Sequence, residues 1–348
     1  GVDLILIETM TDLYEAKAAV LAAKENSDLP VFCTMSFESD KRTFTGCNAT
    51  SMVMVLEGLG VDALGVNCSL GPKEIEPIID EILNTSKVPV MVQPNAGLPN
   101  IIKGDTIFNI LPEEFAVYGA KFKEKGVKVI GGCCGTTDRH IQSLVKALKK
   151  VEIKDKKYSP LSGVCTPTKA VIIDQVKVIG ERINPTGKKL FKEALRNGDI
   201  DYILREAIAQ VDAGAHILDV NVGLPEINEE EIMVKVIKEI QSILDVPLQI
   251  DSTNAKAIEI GLRYYNGKAI VNSVNGENKV LQNILPIVKK YGAAVVGLTL
   301  DERGIPSSGE ERFRIAEKIV KTAESYGIDK KDIYRLLNIN TCGSTGRC

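Results

Sequence analysis

Short apolar runs rich in β-forming residues alternate along the whole chain with longer amphipathic stretches, the pattern of parallel strands joined by crossover helices. In the first half this predicts strands near Leu4 to Glu8, Val31 to Phe37, Ala63 to Ser69, Val90 to Asn95 and Val127 to Cys133. Helices are predicted between them: Asp12 to Glu25 aligns Ala16, Ala19, Val20 and Ala23 on one face, and Pro72 to Leu83 opens with Pro in its first turn. From 151 to 176 the pattern lapses into charged and Pro/Ser/Thr-containing sequence, including Lys154-Asp155-Lys156-Lys157 and Thr166-Pro167-Thr168, which reads as a linker. Strands resume near Val176 to Arg182, His216 to Asn221, Pro247 to Asp251, Ala269 to Ser273 and Ala293 to Leu300, with helices such as Ile200 to Ala213 and Glu229 to Leu244.

Polar or reactive residues recur at the ends of these apolar runs: Glu8, Cys68, Asn95, Cys133, Asn184, Asn221, Asp251 and Asn272. In a (β/α)8 barrel the interior is packed and active-site residues emerge at the C-terminal ends of the strands. The expected fold class is therefore α/β, with two consecutive (β/α)8 TIM-type barrels. Each half supplies only about five of the eight strands a closed barrel needs, so each barrel is expected to be incomplete in this chain. The expected division is a C-terminal part of one barrel over 1–150, a linker over 151–176, an N-terminal part of a second barrel over 177–335, and an atypical tail over 336–348. The start at Gly1, directly before an apolar run, reads as a cut through a longer protein.

Composition narrows the chemistry. A chain of 348 residues, 44% hydrophobic, has material for two cores. A net charge of −3 with acidic and basic residues intermixed gives no footprint for nucleic acid or an anionic membrane, which favours a small organic substrate. No apolar run approaches the roughly 20 residues needed to span a bilayer, and a cytoplasmic location is expected. Eight cysteines, two of them adjacent, do not resemble a secreted disulfide framework and direct attention to metal binding or catalysis.

Cys68 lies in Leu64-Gly65-Val66-Asn67-Cys68-Ser69-Leu70-Gly71, and Cys133 and Cys134 in Ile130-Gly131-Gly132-Cys133-Cys134-Gly135-Thr136-Thr137. These segments belong to strands two apart, whose ends approach each other across a barrel mouth. Adjacent side chains on a strand point opposite ways, so both thiols can face one ion only if the strand has ended in a turn, for which the flanking glycines give freedom. Three thiolates with no nearby histidine suit zinc, with a fourth tetrahedral position left for a thiol substrate that the metal would deprotonate. The competing reading is a buried small Cys68 and a strand-end pair at Cys133-Cys134, or a vicinal disulfide. Cys33 and Cys47 read as buried small hydrophobes; Cys165, Cys342 and Cys348 fall outside the barrel pattern.

Asn67-Cys68-Ser69 together with Gly131-Gly132-Cys133-Cys134-Gly135 resembles the zinc signature of the homocysteine S-methyltransferase family, and Gly1 to about Leu148 resembles the latter part of that barrel. The resemblance implies that Cys68, Cys133 and Cys134 ligate zinc, that homocysteine sulfur takes the open position, that Glu8 meets the substrate amino group and that Asn95 lines the pocket. From the residues alone, Glu8 could equally cap the following helix, and Asn95 could form an Asx turn before Gly97.

The second half carries Glu181-Arg182-Ile183-Asn184, Asp219-Val220-Asn221, Gln249-Ile250-Asp251-Ser252 and Asn272-Ser273-Val274-Asn275. Acids and amides at successive strand ends suit a pterin ring: a carboxylate pairs with adjacent N–H and amino donors, and amides read the carbonyl and ring nitrogens. In order, these segments resemble the pterin-binding family that contains methyltetrahydrofolate methyltransferases and dihydropteroate synthases, the Glu-Arg-Ile-Asn opening favouring the first branch. The resemblance implies that Asp251 and Asn272 hold the pterin edge, with Asp219, Asn221 and Asn184 beside them; helix capping by strand-end residues is the structural alternative. The family's later Asp and basic residues for the folate tail have no counterpart here, because Asp332-Ile333-Tyr334-Arg335 runs into a tail without a clear barrel strand.

Joined in this order, the two halves resemble the cobalamin-dependent methionine synthases. That implies methyl transfer from 5-methyltetrahydrofolate via cobalamin to zinc-activated homocysteine, giving methionine and tetrahydrofolate. Cobalamin would be bound by a domain in cis or trans: the nearest approach to an Asp-x-His-x-x-Gly signature, Asp138-Arg139-His140-Ile141-Gln142-Ser143, has Ser where Gly is needed. His140 is expected on a helix surface and His216 at a barrel bottom. The alternatives are a non-catalytic zinc- and pterin-binding fragment and a dihydropteroate synthase-like enzyme.

Overall fold

In a computed structural model, which describes residues 1–102, 105–154 and 161–336, the strands pair in chain order within two parallel sheets. Two units emerge, one of Gly1–Leu161 with Pro167–Ala170, the other of Ser162–Thr166 with Val171 onward. Among the described residues no helix is long and apolar enough to cross a membrane.

In the first unit the order is β1 (Ile5–Met10), α1 (Leu13–Asn26), β2 (Val31–Met35), α2 (Ala49–Gly58), β3 (Ala63–Asn67), α3 (Pro72–Thr85), β4 (Val90–Gln93), β5 (Pro99–Ile102), β6 (Asp105–Phe108), α4 (Pro112–Lys125), β7 (Val129–Ile130) and α5 (Asp138–Leu148). Strands β1, β2, β3, β4 and β7 form the sheet, each paired parallel with the next. The central strands are buried along almost their whole length, as a parallel sheet covered on both faces requires. Asp12 and Asn48 start α1 and α2 by accepting the Glu15 and Ser51 N–H groups. Gly65 is obligatory at the β3–β4 seam, since a Cβ there would fall 1.7 Å from the Met91 carbonyl oxygen. The antiparallel pair β5–β6, between β4 and α4, is not expected from the sequence: its strands are four residues each, too short for a period-two pattern to register.

The second unit runs β8 (Gly163–Cys165), β9 (Ala170–Ile172), β10 (Ile179–Ile183), α6 (Lys189–Asn197), α7 (Ile200–Asp212), β11 (Ile217–Val220), α8 (Glu229–Ile243), β12 (Leu248–Asp251), α9 (Ala255–Tyr264), β13 (Ile270–Val274), α10 (Asn278–Tyr291), β14 (Ala294–Leu298), α11 (Gly309–Ser325) and, after a short 3-10 turn, β15 (Ile333–Leu336). Strands β10 to β15 form a parallel sheet in that order. Within the stretch read as linker, Val164 and Val171 pack with Ile217, Ile270, Ala294 and Val296, so β8 and β9 contribute to this unit's core.

The structure departs from the sequence pattern at three places. The second sheet gains a sixth strand, β15, whose residues pair with Val295 to Leu298 although they stand where no barrel strand was expected; with four residues of mixed polarity, pairing rather than pattern defines it. The predicted strand ending at Cys133 stops at Ile130, which puts both cysteines in the following turn. His140 is buried at 7% exposure: Nδ1 meets the Thr137 N–H and hydroxyl as part of the α5 cap, and Nε2 donates to the Ile110 carbonyl at 3.0 Å. His216 stays exposed at the N-terminal end of β11. Of the tail at 336–348, all beyond Leu336, with Cys342 and Cys348, lies outside the described residues.

The new edge strand is pinned by a buried ion pair, Lys268 Nζ to Asp332 Oδ1 at 2.6 Å, with both side chains nearly inaccessible. Removing one partner of such a pair strands the other charge, a cost of about 3–5 kcal/mol. Lys268→Ala is expected to destabilise the second unit by about that much, and the double change Lys268→Met with Asp332→Leu by far less. Urea denaturation of the three proteins measures the difference.

Candidate metal centre and acidic cavity

The thiol site is assembled where three consecutive strands of the first sheet stop. β3 ends at Asn67, and Cys68 and Ser69 then take left-handed backbone, with φ of 62° and 54°. β7 ends at Ile130, and Gly131-Gly132 carry the chain to Cys133 and Cys134. Gly132 has no room for a side chain, because a Cβ would sit 2.5 Å from the Thr136 methyl. The end of β4 and the segment following it hold both turns. Cys68 N–H donates to the Gln93 carbonyl at 3.0 Å, Cys133 N–H to the Pro94 carbonyl at 2.9 Å, and Ala96 N–H to the Cys134 carbonyl at 2.9 Å.

The three Sγ atoms consequently lie within 4.8 Å of one another, with Cys68 and Cys134 3.7 Å apart. All three are free thiols. Burial, then the neighbouring Cys68, pushes the Cys133 thiol up to about 12; Cys68, then burial, raises Cys134. Three sulfurs this close resist ionising together unless a cation joins them. A tetrahedral zinc with Zn–S of about 2.3 Å requires sulfurs about 3.8 Å apart, so the donor set and its spacing fit zinc. Cys33, by contrast, is wholly buried with its pKa pushed up to about 12 by burial alone, and Cys47 is equally buried, as small hydrophobes are.

Asn95, 4% exposed, turns its Oδ1 to the Cys134 N–H at 3.0 Å and thus braces the thiol turn itself. Glu8 stands exposed on β1, and the cap of α1 is Asp12. A residue to which the sequence reading gave no role, Asn67, is fully buried between β1, β2 and Cys133. Its strand-end amide was visible in the Asn-Cys-Ser motif, but not the partners it would meet.

In the second unit, Asp219, Gln249, Asp251, Asn272, Asn184 and Glu181 line a cavity of about 940 Å³ on the inner side of the sheet, over a floor of apolar side chains. Register pairs Asp219 with Gln249 and Asp251 with Asn272. Asp219 is 2% exposed; burial, reinforced by the charge of Asp251, raises its pKa to about 7, although Gln249 Nε2 donates to its Oδ1. Burial also raises Asp251, against the hydrogen bond that Asn221 Nδ2 gives its Oδ2 at 3.0 Å. Asn221 Oδ1 accepts the Gly223 N–H, and Asn184 Oδ1 the Thr186 N–H, so both amides also shape turns. A second groove of about 600 Å³, with Asn221, Asn228, Glu229, Ser252 and Asn254 in its walls, shares Asp251 with the cavity. Gln249 lies two residues short of the end of β12, where strand-end patterning does not mark it, and its Oε1 is buried without a partner. The site is rich in acceptors and suits a ligand that offers several N–H donors.

Residues 1–148 match the family model described as homocysteine S-methyltransferase, and residues 180–345 the model described as pterin binding enzyme. Over 96% of its length the chain is 32% identical to the methionine synthase of Mycobacterium tuberculosis, and it spans 29% of that protein. Among solved structures, it is similar to the homocysteine methyltransferase MmuM of Escherichia coli, at 23% identity over 42% of this chain and 50% of that one, with a TM-score of 0.36. It is also similar to the 7,8-dihydropteroate synthase of Vibrio fischeri, at 17% identity over 50% of this chain and 65% of that one, with a TM-score of 0.38.

Asp219 makes stability depend on pH. Its folded pKa of about 7 exceeds the unfolded value of about 3.9. The stability it contributes is full below the unfolded pKa and is lost as pH rises through the folded one. Asp219→Asn keeps the shape without the charge and is expected to abolish most of this loss. Urea midpoints at about pH 5 and about pH 8 report it: the wild type should fall between them by more than the variant, and parallel trends would mean that Asp219 titrates as an ordinary carboxylate.

Proposed function

Because the chain joins a homocysteine S-methyltransferase domain to a pterin-binding domain, we propose that it serves methyl transfer from 5-methyltetrahydrofolate to homocysteine, giving methionine and tetrahydrofolate. Cobalamin, brought by a domain in cis or trans, is the methyl carrier in this reading. The reaction belongs in a reducing cytoplasm, where the thiols stay free.

The observation that carries the reading is the cluster of Cys68, Cys133 and Cys134, three sulfurs at the spacing of one tetrahedral ion. These three residues would hold zinc, which when bound supplies the Lewis acidity that lets a substrate thiol ionise near neutral pH. Asn95 fixes the turn that presents Cys134, and Glu8 is the carboxylate available to a substrate ammonium group. In the second unit Asp251 and Asn272 would take the donor edge of the pterin, with Asn184, Asp219 and Asn221 completing the wall. Asp219, with its pKa raised to about 7, is only partly ionised at neutral pH. Holding the ring in one orientation is the main service such a site gives to methyl transfer. A dihydropteroate synthase-type reaction would leave the sulfur cluster without a task.

Two measurements test this. The purified chain should contain about one zinc per molecule, and Cys133→Ala should lose it; retention of zinc by that variant rules out the sulfur site. Label from methyl-labelled 5-methyltetrahydrofolate should pass to free cob(I)alamin, and Asp251→Ala should reduce the rate at least about tenfold. Absence of transfer in the wild type, with formation of dihydropteroate instead, would reassign the second unit.

A further inference from the structure

Asn67 uses its whole hydrogen-bonding capacity inside the first unit. Oδ1 accepts the Thr9 N–H at 2.9 Å and the Thr34 hydroxyl at 2.7 Å, while Nδ2 donates to Thr9 Oγ1 at 2.7 Å and to Cys133 Sγ at 3.9 Å. A carboxamide has two acceptor sites and two N–H donors, and all four are committed. The orientation is unambiguous, because the Thr9 backbone N–H can only donate. The side chain is fully buried, so no water competes for its N–H groups. Thr9 meanwhile holds φ at 60°, a conformation that β-branched residues rarely adopt, and its N–H is satisfied by Asn67.

We propose that Asn67 is a positioning residue of the metal centre, whose amide N–H donates to the Cys133 sulfur and is aimed there by Thr9 and Thr34. An N–H···S hydrogen bond draws charge from a thiolate, which offsets part of the repulsion among three anionic sulfurs and fixes the direction from which Cys133 meets the ion. The inference rests on reading Cys68, Cys133 and Cys134 as a metal site.

The test uses the full chain loaded with Co(II) in place of zinc, because thiolate-to-cobalt absorption reports on the sulfurs directly. The wild type should show these bands; if it shows none, the metal reading itself fails and the role of Asn67 falls with it. In Asn67→Ala the bands should move to longer wavelength and zinc affinity, measured by competition with a chelator, should fall about 10- to 100-fold while far-ultraviolet circular dichroism is unchanged. Thr34→Val leaves the amide in place but removes one of the donors that aim it, and should give a smaller shift in the same direction. A folded Asn67→Ala protein with the wild-type spectrum and affinity overturns the proposal, reducing Asn67 to a brace for β1 and β2. If Asn67→Ala does not fold, a wild-type spectrum in Thr34→Val overturns it equally.

Discussion

Three thiols held within 4.8 Å of one another repel as soon as they ionise, and the first unit is arranged around that tension. The sulfurs stay together because the backbone leaves them no choice. Gln93, the last residue of β4, and Pro94 and Ala96 just beyond it bind the turn at Cys68 on one side and the turn at Cys133-Cys134 on the other. Asn95 adds a side-chain bond to the second turn. The bond from Cys68 depends in turn on the close approach of β3 and β4, which a side chain at Gly65 would block. The cost of gathering three acids in one place is met by packing at the strands and offset, when a metal is present, by the ion.

The second unit meets the same problem with carboxylates. Asp219 and Asp251 share one wall of a cavity with Glu181 nearby, and burial discourages their ionisation. Here amide groups mediate where the first unit has backbone: Gln249 serves Asp219 and Asn221 serves Asp251. Both sites stand at the C-terminal ends of parallel strands, where the peptide groups of the last residues are released from the sheet and side chains converge.

Much of this was readable from the chain. Alternating apolar and amphipathic segments placed the main strands and helices, and the strand-end rule picked out Cys68, Cys133 and Asp251; Asn272 and Glu8, expected at strand ends, instead lie two residues before the ends of β13 and β1. What escaped were features defined by partners distant in sequence. Asn67 looks like any strand-end amide until Thr34 and Cys133, 33 and 66 residues away, are seen around it. His140 lies in a polar helix start, yet the Ile110 carbonyl, 30 residues earlier, draws it inward. Gln249 sits in mid-strand, where the same rule does not look. Strands as short as β8, β9 and β15 carry too few residues for periodicity to register, and only pairing or packing reveals them.

Asp251 has one face on the cavity and another on the groove beside it. A single ionisable group common to two spaces links them only as far as the occupant of each prefers one of its charge states. Any occupant of the groove that favours one charge state of Asp251 changes the affinity of the cavity for its own occupant, and the cavity returns the effect by the same factor. The short bridge of Asn221, one end on Asp251 and the other on the Gly223 turn, lies on the path between them. Among the described residues, Asp251 is the one side chain that lines both spaces.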